Sequence, residues 1–207
     1  MEKIIFDLDN TLLMYDKNYL NDYNIIIKKY GYNLKPGALY ESIGRYEDLK
    51  VKYNKNDMID FINNDLNINM KAEIFEELLN IIGEWVSPLE DGLIDTLEYL
   101  NSKYKLYVLT NWYTECYTKR LNKAGILKYF KEVVGADKVI PKPNSDGYMY
   151  IANNTPVNQC LMIGDRLDID ILGAISIGMN ALLFDYDNEY NGKCDKILKI
   201  SKLKEML

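Results

Sequence analysis

Asp7 and Asp9 stand one residue apart, directly after the apolar run Ile4-Ile5-Phe6. A second apolar run, from Leu106 to Leu109, leads into a hydroxyl and an amide, Thr110 and Asn111. A third, Leu161-Met162-Ile163-Gly164, opens into Asp165, Asp168 and Asp170. Between the last two, Lys142 is held between Pro141 and Pro143. Carboxylates, a hydroxyl and an ammonium are the groups used by acid–base, nucleophilic and metal-assisted phosphoryl chemistry. The chain has no histidine, which removes Ser-His-Asp and Cys-His catalysis and His-ligated zinc together. Acid–base work near neutral pH then falls to carboxylate, lysine, tyrosine or cysteine.

Each group follows a short apolar run, and such runs alternate with amphipathic stretches, the pattern of βα units on a parallel sheet. Strands are predicted at 3–6, 105–109, 132–134, 160–163 and 180–184, each brief and apolar, as strands buried on both faces should be. Helices are predicted at 93–103, 114–124, 146–153 and 168–177. The second and last are closed by Gly125 and Gly178, residues that take the left-handed conformation cheaply. The first strand is not followed by an ordinary crossover. From 13 to 87 the sequence reads as four helices, 17–30, 38–50, 57–66 and 71–86, several times the length a crossover needs. The expected fold is α/β: a Rossmann-like, doubly wound parallel sheet (1–12 and 88–207) with an inserted α-helical cap (13–87).

In open parallel sheets ligands bind beyond the carboxyl ends of the strands, so these groups would converge on one crevice. Asp7, Asp9, Asp165 and Asp170 would then bring several negative charges close together, and at least one would tend to protonate. A hard divalent cation resolves the repulsion. Mg²⁺ takes oxygen ligands, commonly one or two carboxylates with waters and substrate phosphate. Acids with one lysine and one hydroxyl, and neither histidine nor thiolate, favour magnesium and a phosphoryl ligand over zinc.

The chain has 207 residues, 48% hydrophobic and 27% charged, which is ordinary globular composition and argues against global disorder. Its formal net charge of −6 speaks against a nucleic-acid partner, which would favour a basic face. It leaves room for small anions, because a bound cation reverses the sign inside one pocket. Cys116, Cys160 and Cys194 lack metal-ligand spacing and fit reduced thiols. No stretch reaches transmembrane length and none resembles a signal peptide, so the expectation is a cytoplasmic protein without membrane contact. Nothing in the sequence bears on oligomeric state.

Four segments in order resemble the motifs of the haloacid dehalogenase (HAD) superfamily: Asp7-Leu8-Asp9-Asn10-Thr11; Thr110; Lys142-Pro143; and Gly164-Asp165-Arg166-Leu167-Asp168-Ile169-Asp170. The stretch Asp170-Ile171-Leu172-Gly173-Ala174 adds to the likeness, which runs from Ile4 to about Ala174. An insertion directly after the first motif resembles members with a helical cap there. The resemblance implies a phosphatase acting on a small phosphorylated metabolite, with Asp7 attacking phosphorus and Asp9 serving as acid and base. It implies Thr110, Asn111 and Lys142 as phosphoryl-binding groups, with Thr110 and Lys142 also aiding the reaction. Mg²⁺ would be bound by Asp7, Asp165 and the Asp9 backbone carbonyl, with Asp170 behind them, acting through water or orienting Lys142. Dehalogenase-type members have no acid at the position of Asp9, so its presence points to phosphoester chemistry. A nucleotide, a sugar phosphate and phosphoglycolate all fit as substrate.

Other readings stand beside these. Asp7 and Asp9 alone also fit a solvated turn, Thr110 a helix cap, and Lys142 a loop lysine. Asp168 reads as a surface or capping acid. Arg45 reads as a solvated helix residue or an anion clamp, and Trp112 as a pocket wall or as packing against the cap. At the level of the whole chain, the alternatives are a phosphomutase of the same superfamily and a non-catalytic module that binds phosphate or a partner.

Overall fold

The computed structural model of the protein describes residues 1–14 and 19–207. The five apolar runs form strands β1 (Lys3–Phe6), β2 (Lys105–Leu109), β3 (Phe130–Val134), β4 (Cys160–Gly164) and β5 (Asn180–Phe184). A sixth, β6 (Lys196–Ile197), joins the edge; two residues are too few to show a period in sequence. All pairings are parallel and the order is β3-β2-β1-β4-β5-β6, the doubly wound arrangement.

β1 therefore sits at the centre, between β2 and β4. Its side chains alternate between faces, as a strand's must. Ile4 and Phe6 enter one hydrophobic cluster with Leu106, Val108 and Ile163. Ile5 enters the other with Leu109, Met162 and Tyr148. Both faces are covered, which is why the strands read as continuous apolar runs.

Helices α1 (Tyr19–Lys29), α2 (Ala38–Glu47), α3 (Lys55–Leu66) and α4 (Ala72–Gly83) lie between β1 and α5 (Leu93–Lys103). The larger cluster continues into them through Ile26, Leu39, Met58, Phe75 and Leu78. Two further ties hold them to the sheet portion. The Tyr53 N–H donates to the Ala136 carbonyl at 2.8 Å, and Lys55 Nζ reaches Glu76 and Glu115 at 2.6 and 2.5 Å. After β2 come α6 (Thr114–Lys123), α7 (Ser145–Ala152), α8 (Leu172–Ile175) and α9 (Leu203–Met206).

Helix bounds differ from the sequence pattern in places. Lys17 and Asn18, in the first predicted helix, lie outside the described residues. The second predicted helix stops at Glu47, and Lys50 takes a positive φ of 55°. The third starts earlier, at Lys55, because the Asn54 side chain accepts from the Asn56 and Asp57 N–H groups and so caps the first turn. The fourth ends at Gly83, short of position 86.

The largest departure is at 168–177, where one regular helix was expected. A π-helical turn (Leu167–Ile171) comes first, and α8 follows it. The Arg166 carbonyl accepts from both Asp170 and Ile171 N–H groups, at 2.8 and 3.3 Å. This widened turn brings the Asp170 side chain inward, so that it accepts from the Arg166 N–H at 3.0 Å. Such turns occur often at functional sites.

Gly164 at the end of β4 makes room for that inward carboxylate: a methyl group there would collide with the Asp170 carboxyl. Gly164→Ala is expected to displace Asp170 and to destabilise the fold by about 1–3 kcal/mol through overpacking, read as a lower urea midpoint. An unchanged midpoint would mean that the turn has slack.

Candidate active site

The C-terminal ends of β1, β2 and β4 open into a cleft of about 550 Å³ whose floor carries Asp7, Thr110, Lys142, Asp165 and Asp170. Asp7 follows β1 and its N–H donates to the Ile163 carbonyl at 2.8 Å. Thr110 follows β2 in the same way, donating to the Val134 carbonyl at 2.9 Å. Strand pairing thus fixes the backbone of two groups separated by a hundred residues of sequence.

Lys142 is almost fully buried, 2% exposed, and its Nζ donates to Asp7 Oδ1 at 2.5 Å and Asp170 Oδ1 at 2.6 Å. Burial works against its charge, but Asp170 and Asp7 more than offset that and hold the ammonium protonated. Its position comes from Asn111. The Asn111 carboxamide accepts from the Lys142 N–H at 2.7 Å and donates to the Lys142 carbonyl at 2.8 Å. The Lys142–Pro143 peptide is cis. The Asn111 side chain is thus spent on the lysine loop, and its backbone N–H is what it has left to offer a ligand.

The acidic groups crowd this lysine. Asp7, Asp165 and Asp170 offer carboxylate oxygens that all lie within 4.8 Å of one another. Burial pushes Asp7 well above the carboxylate range; Lys142 pulls it back, while Asp170 and Asp165 push it further up. Asp165 is pushed to about 6, by burial and then by Asp170. One ammonium cannot neutralise three carboxylates. All-oxygen donors with unbalanced negative charge are the chemistry a hard cation such as Mg²⁺ answers, so the residues present fit that ion. Asp168 stays outside, two-thirds exposed and paired with Arg166 at 3.0 Å.

Asp9 faces the cleft but points away from this cluster. Its Oδ1 accepts from Arg120 Nη1 at 2.7 Å, and its Oδ2 accepts from the Tyr117 hydroxyl. Arg120 is 1% exposed and also donates from Nε to the Trp85 carbonyl at 3.1 Å. Sequence reasoning missed Arg120, although a signal was present. Cys116, Tyr117, Arg120 and Leu121 share the buried side of α6, and a lone arginine at core-facing spacing needs a charged partner. Arg45 is tied to Asp65, with Nη2 at 2.5 Å, and does not line the cleft. Trp112 does line it, and its ring packs edge-on against Tyr53 at 6.2 Å.

The sequence profile of the Haloacid dehalogenase-like hydrolase family matches residues 4–184. Pyrimidine 5'-nucleotidase YjjG of Escherichia coli (strain K12) is 30% identical over 112 residues, 52% of this chain and 49% of its own length. The chain spans about half the length of the first curated relatives it matches. Phosphoglycolate phosphatase of Vibrio parahaemolyticus serotype O3:K6 is 26% identical over 183 residues, 84% of this chain and 79% of its own length. Among solved structures, the HAD-hydrolase YfnB from Bacillus subtilis, bound to magnesium, superposes with a TM-score of 0.75 at 19% identity, covering 99% of this chain and 97% of that one. At that identity the likeness is one of fold.

Two tests follow from the geometry. Arg120→Met leaves the part-buried Asp9 carboxylate without its charged partner and is expected to cost about 1–3 kcal/mol, read from chemical denaturation; no loss would mean that the pair is not formed. The second concerns pH. In metal-free protein Asp165 keeps its proton up to about 6, whereas the ordinary value is 3.8. Between those values the folded state binds more protons than the unfolded chain, so its contribution to stability falls as pH rises. Asp165→Asn should flatten that decline in EDTA, and Mg²⁺ should offset it in the wild type; identical pH profiles for the variant and the wild type in EDTA would contradict the assignment.

Proposed function

The chain belongs to the haloacid dehalogenase-like hydrolases, and we propose that it is a Mg²⁺-dependent phosphatase that cleaves a small phosphomonoester by way of a phosphoryl group carried on Asp7. One observation carries this reading. Asp7 Oδ1 lies 2.5 Å from the buried Lys142 ammonium, on the floor of a cleft that also presents the Asp9 carboxylate.

In the proposed reaction an Asp7 oxygen attacks phosphorus in line, and the bond from phosphorus to the leaving oxygen breaks as the new bond forms. Asp9 gives that oxygen its proton and, in the second half, takes one from the water that attacks phosphorus and releases Asp7. Assistance of this kind is typically worth about 10²–10⁴-fold in rate. Lys142, the Thr110 hydroxyl and the Asn111 backbone N–H hold the phosphoryl oxygens and offset their charge. Lys142 also favours the ionised Asp7 that attack requires. Mg²⁺, held by Asp7, Asp165 and the Asp9 backbone carbonyl, would supply further positive charge against the phosphoryl group. Asp170 positions Lys142 through the 2.6 Å contact, and Arg120 with Tyr117 keeps the Asp9 carboxylate at the cleft.

Residues 13–87 act in this reading as a cap over a core formed by 1–12 and 88–207, because side chains from both portions line the cleft. The substrate is a small phosphorylated metabolite, in keeping with relatives named for a nucleotide and for phosphoglycolate. Among the described residues no helix is long and apolar enough to cross a membrane. A net charge of −6 offers nucleic acid little. The free cysteines suit a reducing cytosol.

Phosphate release from p-nitrophenyl phosphate and a small panel of esters tests the reading. Activity should require Mg²⁺ and be lost in EDTA, and Asp7→Asn should lower kcat by about 10³-fold or more, the scale seen when a nucleophile is removed. Normal turnover by a folded Asp7→Asn protein would sink the nucleophile assignment.

A further inference from the structure

The wall of the cleft opposite the catalytic floor is built by the inserted helices and has different chemistry. Tyr19 and Tyr23 of α1 face it, with Tyr40, Ile43, Gly44 and Glu47 of α2. The Tyr19 and Tyr23 rings lie 5.0 and 5.4 Å from the Tyr40 ring, tilted by 60° and 69°; Tyr23 is buried, and Tyr19 and Tyr40 carry the aromatic surface the wall presents. Beside them Gly44 leaves open space, with nothing within 4 Å of where a side chain would begin.

Charge on this wall has one sign. Among the described residues, α1, α2 and α4 contribute Glu41 and Glu47 to the cleft and no cation. Glu41 is paired at the surface with Lys35 at 3.0 Å. Glu47 is set deeper: burial pushes it to about 7, and the charge of nearby Lys50 pulls it back only in part. Lys50 is half exposed and has Asp48 at 4.0 Å. The neighbouring buried Tyr53 hydroxyl bonds to Glu47 and favours its charged form, also only in part. Glu47 is therefore a part-buried carboxylate, compensated only in part by Lys50 and Tyr53, on the wall opposite the catalytic floor. A part-buried carboxylate of this kind gains from a ligand that donates to it.

We propose that this wall is the leaving-group site, that it takes a flat ring bearing N–H or O–H donors, and that the substrate is accordingly a nucleoside monophosphate. Glu47 accepts from the ring's donor groups, and Tyr19 and Tyr40 offer the ring a stacking surface. The same carboxylate repels leaving groups that carry one of their own, such as that of 2-phosphoglycolate. An open sugar phosphate satisfies Glu47 but leaves the aromatic surface uncovered. The proposal relies on the phosphatase reading only to place the phosphoryl end on the floor.

Binding separates the two ideas, because it does not need turnover. Calorimetric titration of the Asp7→Asn protein with Mg²⁺ present would compare uridine and adenosine monophosphates with ribose 5-phosphate and 2-phosphoglycolate. The nucleotides are expected to bind tighter than the other two by about tenfold or more, the discrimination a single buried polar contact can supply. Adding Glu47→Gln, with the fold checked by circular dichroism, should weaken the nucleotides and tighten 2-phosphoglycolate, closing most of the gap. The proposal is overturned if ribose 5-phosphate or 2-phosphoglycolate binds as tightly as the nucleotides, or if Glu47→Gln leaves their order and spacing unchanged. If the binding order holds while wild-type protein releases phosphate from none of these esters, the site stands and the phosphatase reading fails.

Discussion

Two aspartates hold one buried ammonium at the centre of this protein with a third beside them, and much of the nearby architecture serves to hold them there. Desolvating a lysine is costly unless its charge is matched at close range. Lys142 meets that condition with Asp7 and Asp170 at 2.5 and 2.6 Å. Asp165 then adds negative charge that Lys142 offsets only in part, and burial and Asp170 shift its carboxyl up to about 6. Each partner is delivered by a different device: the end of a central strand for Asp7, a π-helical turn for Asp170, and a carboxamide bonded to its backbone for Lys142. Gly164 is required because a side chain there would fill the space of the Asp170 carboxyl. The site is an excess of negative charge kept close together by the sheet, suited to a cation and a phosphoryl group.

Arg120 extends the same logic from the floor to the segment that follows α4. It is buried in the apolar side of α6, yet it contacts Asp9 and the Trp85 carbonyl, where the chain returns from α4. One side chain thus joins the carboxylate assigned to proton transfer to the segment between α4 and α5. Beyond it the cleft changes character, from charged groups on the floor to tyrosines and Glu47 on the facing wall. In the proposed function these halves divide the work: the floor handles phosphorus and the wall chooses the leaving group.

Much of this was legible in the chain because short apolar runs buried on both faces are hard to mistake, and their ends must carry the ligand-facing residues. The five predicted strands, the helices between them and the convergence of Asp7, Thr110, Lys142, Asp165 and Asp170 could be read in that way. β6 could not, since two residues have no period. The turn at 167–171 was hidden as well, because its widening comes from hydrogen bonds at Arg166 and Asp170 rather than from apolar spacing. Asn54 carried a cap signal that went unused. Glu47 lay outside the reach of sequence, because its importance depends on which wall α2 turns toward the cleft.

The most direct test is mass spectrometry of protein acid-quenched during turnover of a phosphomonoester with Mg²⁺. The peptide containing Asp7 should carry the added mass of one phosphoryl group, and the Asp7→Asn protein should carry none. Phosphate release with no modified peptide, or with the phosphoryl group on another residue, would contradict the assignment of Asp7 as nucleophile.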